Sequence, residues 1–309
     1  MNKKLIFSFL LCLSILGLKA QQLPQFTQYF LNEFAINPAT AGMKPYFDAR
    51  FNNRYQWVGI TDAPRTFITT VNGPFLGLNM GIGGKVYADI VGPTRRIGGA
   101  LAYSYHLKIN DDLRLGMGLS AGFLQYAMDG AKIFTKQAGD PYQSSFFQNI
   151  TVPEIGFGLH LQHKKYFATL SIPQLYKAKT DFFVNVESRG KLEDHYFAGG
   201  GYTFDLNADF QIQPTVFIKY VKPTPPIIDL SARVIYQEKV WAGLSYRTRD
   251  ALSIMFGYIY QDNILIGYSY DYTLSDLVNY NRGTHEIMLG IRFRGNKPEE
   301  PKEIIKPAK

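Results

Sequence analysis

The sequence predicts an all-β protein: a single antiparallel transmembrane β-barrel of about fourteen strands with an N-terminal plug or periplasmic segment. Three observations predict it. Apolar and polar side chains alternate along successive segments, aromatic residues gather near the segment ends, and short and long connections alternate. Successive side chains of a strand face opposite sides, so each segment has an apolar and a polar face. A soluble sandwich would bury the apolar faces, whereas aromatic residues at strand ends are typical of membrane-interface girdles.

Residues 1–20 have the three parts of a secretory signal peptide. Lys3 and Lys4 form a basic start, an apolar run follows to Leu18, and Leu18-Lys19-Ala20 fits a cleavage site. The apolar run is shorter than the ~20 residues that a spanning helix needs, so we expect cleavage rather than anchoring. Cys12 is the only cysteine, and it lies inside this signal. The mature chain is therefore expected to contain neither disulfides nor thiol chemistry.

The composition limits the class of partner. The formal net charge is +8, and it falls to about +5 when the three lysines of the predicted signal are removed. These charges are spread without a basic cluster, so nucleic-acid binding is not expected. A mean hydropathy of −0.12 is compatible with a membrane barrel, because half of each strand faces a polar lumen.

The predicted barrel occupies residues 45–295, and four consecutive strands are predicted between Val240 and Phe293. In the last of these, Ile287, Leu289, Ile291 and Phe293 share the apolar face, whereas Glu286, Met288, Gly290 and Arg292 share the polar one. The period of two continues upstream through Leu113–Phe123 and the segment before it. The first three strands, near Phe47–Trp57, Arg65–Val71 and Asn79–Tyr87, are less regular.

The connections predict the orientation of the barrel. Tight turns occur at alternate connections: Asn110–Asp112, His163–Lys165, Asn207–Asp209, Gln237–Lys239 and Gln261–Asn263. Between them lie the long stretches Ala127–Thr151, Pro173–Asp194 and Thr273–Gly283, with Thr248–Asp250 as the one short exception. Outer-membrane barrels have short periplasmic turns and long extracellular loops. An even strand count then predicts both termini in the periplasm.

Two segments lie outside the alternating pattern. Residues 21–44 are rich in aromatic residues and turn formers, and we expect a plug, a periplasmic strap or a flexible lead. Residues 296–309 are rich in Pro, Lys and Glu, which predicts a disordered periplasmic tail.

Charged side chains are predicted to line the lumen: Arg50, Arg54, Arg96, Arg114, Lys219, Arg233, Arg247 and Arg292, with Asp229, Asp271 and Glu286. One interpretation is that these charges pair with one another and with the N-terminal segment, because unpaired buried charge is costly. The other is an anion-attracting pore. Pairing is the favoured interpretation.

No chemical site is predicted. The five histidines do not converge as metal ligands, and no acid, base or nucleophile set stands out, so we expect no catalytic, cofactor or metal site and no small-molecule substrate. The glycine clusters Gly81–Gly84 and Gly199–Gly201 do not open helices as phosphate loops do. They are interpreted as places of bending or close approach inside the barrel.

Several short motifs together resemble one family. They are Gln25-Phe-Thr-Gln-Tyr29, Asn37-Pro-Ala-Thr-Ala-Gly42, Arg54-Tyr-Gln-Trp-Val-Gly59 followed by Ala63-Pro-Arg-Thr66, Gly267-Tyr-Ser-Tyr-Asp-Tyr272, Ser275-Asp-Leu277 and Gly283-Thr-His-Glu-Ile287. In this order the sequence resembles the PorP/SprF family of the Bacteroidetes type IX secretion system, from about Gln22 to Phe293.

The resemblance implies an outer-membrane barrel that assists the export or surface anchoring of proteins, including gliding adhesins. The implied partners are outer-membrane lipid, other secretion components and the C-terminal domains of cargo. The alternative is a passive or substrate-selective porin, and an outer-membrane enzyme ranks third. We further hypothesise that Gln25–Gly42, including Phe26, Tyr29, Asn37 and Pro38, folds into or beneath the lumen or contacts a partner. Arg50, Arg54 and Gln56 would receive its polar groups.

Overall fold

The computed structural model describes residues 23–75, 78–133, 147–176 and 193–293. The predicted signal peptide, residues 1–20, and the predicted tail, residues 296–309, lie outside the described residues. So do residues 134–146 and 177–192, which belong to two of the predicted long connections.

The described chain forms one antiparallel sheet that closes on itself. Its strands are β1 Phe47–Tyr55, β2 Arg65–Pro74, β3 Met80–Val91, β4 Thr94–Lys108, β5 Leu113–Asp129, β6 Phe147–His163, β7 Tyr166–Ile172, β8 His195–Tyr202, β9 Phe204–Asp205, β10 Phe210–Val221, β11 Ile227–Tyr236, β12 Val240–Arg247, β13 Ala251–Tyr260, β14 Ile264–Thr273 and β15 Thr284–Phe293. Only Thr203 separates β8 from β9, and both pair with β10, so the two segments form one barrel strand. The result is a closed barrel of fourteen strands, which confirms the predicted fold class.

Closure is made where the first and last strands meet. β1 pairs with β15 from Phe47 opposite Phe293 to Tyr55 opposite His285, and the rings of Phe47 and Phe293 stack at 5.8 Å. β1 also pairs with β2, so both of its edges are hydrogen-bonded. An unpaired edge in lipid would leave backbone groups without partners, and this register removes it.

Burial alternates along the strands as the sequence pattern predicts. In β13, every second residue from Ala251 is buried and every residue between them is exposed. The outward face carries large apolar side chains such as Leu101, Leu119 and Leu244. Such a continuous apolar exterior needs a lipid environment, because soluble proteins do not expose it. The protein is therefore a multi-pass barrel of the outer membrane. Among the described residues, no helix is long and apolar enough to cross a membrane.

The connections follow the predicted orientation, with a correction. The five predicted tight turns all lie at one end of the barrel, which the short-turn rule makes periplasmic. The opposite, extracellular end has more short connections than predicted. Residues 92–93 join β3 to β4, and residues 222–226 join β10 to β11. The strict alternation was wrong there, because a glycine or proline turn is enough to join two strands at either end.

Candidate functional site

The N-terminal segment, residues 23–44, lies inside the barrel. At the extracellular end, the backbone N–H of Leu23 donates to His195 Nε2 over 3.3 Å. At the periplasmic end, the carbonyl of Ala41 accepts from Ser104 Oγ at 2.5 Å and lies 2.9 Å from His106 Nε2. The segment thus runs along the lumen between the two ends. The even strand count predicts a periplasmic N-terminus, but the described part of the segment begins at Leu23 near the extracellular end, because the residues before β1 run through the lumen.

Three short 3₁₀ turns make the segment compact: Tyr29–Leu31, Glu33–Ala35 and Pro38–Thr40. Asn37 begins the third turn, where its Oδ1 accepts from the backbone N–H of Ala39 over 2.9 Å. Proline follows it at the first position of the turn, where no N–H is needed. The segment is therefore shaped by turn chemistry rather than by strand or helix periodicity.

Aromatic side chains attach the segment to one side of the wall. The ring of Tyr29 stacks on Phe217 with centroids 4.5 Å apart, and Phe30 contacts Trp241 edge-on at 5.7 Å. The guanidinium of Arg233 lies 4.4 Å from the centre of the Phe30 ring. Phe26 is also buried. These contacts combine apolar burial with ring geometry and a cation over an aromatic face, all of which are favourable.

Asn37 attaches the segment to another part of the wall. Its Nδ2 donates to the carbonyl of Leu159 at 2.9 Å and to Thr169 Oγ1 at 2.7 Å. These partners lie on β6 and β7. Asn37 therefore fixes the segment to the barrel in addition to shaping its own turn.

Inward-facing glycines of the strands leave room for the segment. At several inward-facing glycines, an added Cβ would overlap the segment: Gly81 with Ala41, Gly83 with Phe34, Gly116 with Ala39, Gly118 with Pro38 and Ala39, Gly158 with Asn37, and Gly267 with Gln28. The structure thus places Gly81 and Gly83 of the first predicted glycine cluster beside the segment. The wall is shaped to the segment that it encloses.

We expect Gly118→Ala to displace the segment. The new Cβ would overlap backbone atoms of Pro38 and Ala39, which cannot rotate away as a side chain does. Overpacking of this kind costs about 1–3 kcal/mol. Chymotrypsin digestion of the purified protein would measure the displacement as faster cleavage at Phe26, Tyr29 and Phe30.

The matched control for Gly118→Ala is Gly99→Ala. A Cβ at Gly99 makes only ordinary contact, with Val86 Cγ1 at 3.5 Å. Equal protection of the segment in both variants would contradict the close fit.

A buried ionic cluster forms the polar part of the lumen near its extracellular end. Arg54 Nη2 lies 2.8 Å from Asp271 Oδ2, and its Nη1 lies 3.1 Å from Glu286 Oε2. Glu286 also accepts from the backbone N–H groups of Thr27 and Gln28, at 2.8 and 3.0 Å. The N-terminal segment is therefore part of the cluster.

The second half of the cluster centres on Arg247. Its Nε lies 2.7 Å from Asp229 Oδ1, and Lys219 Nζ lies 3.3 Å from Asp229 Oδ2. Asp271 is shared, since Arg247 Nη1 lies 3.6 Å from it. Three cations, Arg54, Arg247 and Lys219, thus face three buried carboxylates, Asp229, Asp271 and Glu286, and Arg247 Nη1 also binds the half-buried Asp250 at 3.0 Å. This balance supports charge pairing rather than an anion-attracting pore.

Thr27 joins the two halves. Its hydroxyl lies 2.8 and 2.9 Å from the two carboxylate oxygens of Asp271, 3.0 Å from Arg54 Nη1 and 3.3 Å from Arg247 Nη2. The hydroxyl donates to the carboxylate and accepts from the guanidinium groups. This one small side chain therefore fixes the segment to both halves of the cluster.

The other predicted lumen residues lie apart from this cluster. Arg50 binds Asp48, with Nε 2.7 Å from Oδ1, so among its described contacts it does not receive the N-terminal segment as hypothesised. Arg96 lies 3.7 Å from Asp89, and Arg292 lies 5.0 Å from the ring centre of Tyr46. Arg114 is on the inward side of β5 but exposed beside the Asn110–Asp112 turn. Gln56, at the extracellular end, donates its backbone N–H to Pro64.

Several inward polar residues were not predicted. Lys85 lies 3.4 Å from Glu154, which also accepts from the hydroxyl of Tyr87 at 2.7 Å. Asn32 of the segment donates to Asn52 at 3.0 Å. Lys85 and Asn52 belong to the less regular strands, and β6 begins before its predicted start. These polar residues occupy the alternate strand positions that face inward, and this alternation was the signal that could have identified them.

The described residues contain no group of three or more His, Cys, Asp or Glu side chains arranged to hold a metal ion. Each carboxylate of the ionic cluster is held by a cation. The ionic cluster holds the N-terminal segment in place. Its geometry favours this structural role over acid–base chemistry.

Comparisons with known proteins agree with the barrel. A family model described as type IX secretion system membrane protein PorP/SprF matches residues 18–291. The chain is similar to a solved TodX deletion mutant, a monoaromatic hydrocarbon channel, at 10% identity with a TM-score of 0.51, covering 89% of this chain and 95% of that one. CymD, another such channel, has 14% identity and a TM-score of 0.49 over 84% and 91% of the two chains. These likenesses concern the fold alone. A search of curated protein sequences gives no match.

Proposed function

Because the chain belongs to the PorP/SprF family of type IX secretion system membrane proteins, we propose that it is a non-enzymatic docking component of that system. It assists the export or surface attachment of cargo proteins such as gliding adhesins. Its partners are other secretion components and the C-terminal domains of cargo.

The filled lumen is the observation that carries this proposal. Residues 23–44 contact strands on several sides of the wall, and the charged groups that a porin would use to attract solutes are paired. The alternative function, a passive or selective porin, needs an open lumen. A rigid and filled barrel is suited instead to presenting surfaces to other proteins.

An ordered extracellular cap supplies such a surface. The cap consists of residues 56–64 and 274–283, which bond to each other through Val58 N–H to Gly283 O at 2.8 Å and Arg282 N–H to Val58 O at 2.7 Å. Tyr280 is 73% exposed on this cap, and Leu274 is 46% exposed. Rigid loops with exposed aromatic and apolar side chains are typical of binding surfaces.

The test is deletion of the gene, followed by quantitative comparison of the surface and secreted proteomes. We expect loss of one or more cargo proteins bearing C-terminal sorting domains, and restoration by the wild-type gene. Tyr280→Ala is expected to restore less than wild type, because it removes an exposed side chain of the cap. The matched control is Tyr260→Ala, which removes an exposed tyrosine at the periplasmic end.

Unchanged export with reduced uptake of small solutes would overturn the proposal and favour the porin. Co-purification of secretion components or cargo with the wild-type barrel would support docking directly.

A further inference from the structure

Two arginines face the lipid at the extracellular end of the barrel. Arg65 of β2 lies opposite Ile90 of β3, and Ile90 lies opposite Arg95 of β4, so the three residues form one row across the sheet. Both arginines are exposed. Neighbouring strands are ~4.8 Å apart, which places their Cα atoms about 10 Å from each other. Within the described strands they are the two arginine or lysine residues on the outward face.

Their position fixes the level of the membrane surface. A charge facing lipid costs about 2–4 kcal/mol at the bilayer midplane but little near the interface. Arg65 and Arg95 lie at or next to the ends of their strands, so their guanidinium groups reach the headgroups of the outer leaflet.

Tyr55 holds the guanidinium of Arg65 at the membrane surface. Its Nη2 donates to the hydroxyl of Tyr55 over 3.2 Å, and its guanidinium carbon lies 4.5 Å from the centre of that ring. A guanidinium has five N–H donors, so this bond leaves others for a ligand. Asp129, an acidic residue on the outward face of the neighbouring β5, is directed to its own backbone, with Oδ1 accepting from Ala131 N–H at 3.2 Å.

An apolar depression lies on the same strands and on β5, nearer the midplane. Its volume is about 530 Å³, and its lining is Thr69, Val71, Gly84, Val86, Gly99, Leu101, Ala121 and Phe123 with adjacent backbone. Small residues form the floor and larger apolar residues form the walls. Thr69 and Gly99 each follow the arginine of their strand by four residues, which is about 13 Å along a strand. Charge and depression are thus arranged like the head and chains of a lipid.

We propose that this face binds a phosphorylated, acylated glycolipid of the outer leaflet. The phosphates contact Arg65 and Arg95, and acyl chains occupy the depression. Two arginines about 10 Å apart match a saccharide headgroup with separated anionic groups better than a single phosphodiester, because a phosphodiester presents its charge at one point.

The test uses the full-length barrel purified in detergent and titrated with diphosphorylated lipid A, with bound lipid counted by native mass spectrometry. We expect Arg65→Gln/Arg95→Gln to weaken binding about tenfold for each arginine, as loss of charge-assisted hydrogen bonds does. The matched control, Arg249→Gln/Arg282→Gln, removes two exposed arginines at the same end of the barrel. It should bind lipid A as wild type does.

A second variant tests the depression. Ala121→Phe fills it from the lipid side and should weaken binding, whereas Ala232→Phe adds the same ring on the outward face of β11 and should not. Heat-dependent migration on gels checks that each barrel is folded. Undiminished binding by folded Arg65→Gln/Arg95→Gln would overturn the site. Equally tight binding of phosphatidylglycerol would overturn its assignment to a glycolipid.

Discussion

Deletion of Gln22–Gly42 is expected to open the blocked lumen, so that the barrel conducts ions with discrete channel openings in a planar bilayer. Barrels of about eight strands are filled by their own side chains, whereas wider barrels leave a lumen that needs other contents. Here the contents are residues 23–44, and glycines such as Gly118 and Gly158 widen the wall where the segment touches it. Removing the segment leaves those places empty, and water and ions enter.

The control for this deletion tests whether the missing segment, added back as a peptide, blocks the lumen again. A synthetic peptide of residues 22–42 should reduce the current of the deletion variant and leave the wild-type barrel unchanged. Heat-dependent migration on gels would show that the deleted protein keeps its barrel. An intact barrel without increased conductance would contradict the plug.

The barrel itself could be predicted because its signal is local. Between Val240 and Phe293 each strand shows its two faces through a period of two, and the tight turns mark where strands end. Pairing between sequence neighbours then follows, since a short turn brings two strands together in one register. Weak alternation in β3, where Gly81 and Gly83 replace larger inward-facing side chains, has a physical reason: these two glycines leave room for the segment.

The course of the N-terminal segment could not be read from such a pattern. It has no period, and its contacts join residues far apart in the chain: Thr27 bonds to Asp271, 244 positions later. The sequence indicated which charges face inward but not which ones meet. Arg54 meets its carboxylates only because β1 closes against β15, with Arg54 opposite Glu286. The even strand count predicts that β1 begins at the periplasmic end of the barrel. It does not predict the path of the chain before β1.

Replacing Arg54 with methionine is expected to lower the free energy of unfolding by about 3–5 kcal/mol, as removal of one partner from a buried ion pair does. Asp271 and Glu286 are 2% and 0% exposed, so water cannot compensate them. Urea unfolding in detergent micelles would measure the change. The matched control is Lys164→Met in a periplasmic turn, where Asp112 raises the pKa of the exposed amine. Its loss should leave unfolding unchanged.

A second substitution separates lost charge from lost shape. Arg54→Met/Glu286→Gln removes one carboxylate along with the guanidinium, so the net charge of the cluster is the same as in the wild type. The amide of the new glutamine still offers one oxygen to the backbone N–H of Thr27 or Gln28, which now donate to different oxygens of Glu286. The double variant should therefore be more stable than Arg54→Met alone. If the double variant is no more stable than Arg54→Met, the arginine acts by packing rather than by charge. If Arg54→Met is as stable as wild type, Arg247, 3.6 Å from Asp271, is sufficient to neutralise the cluster.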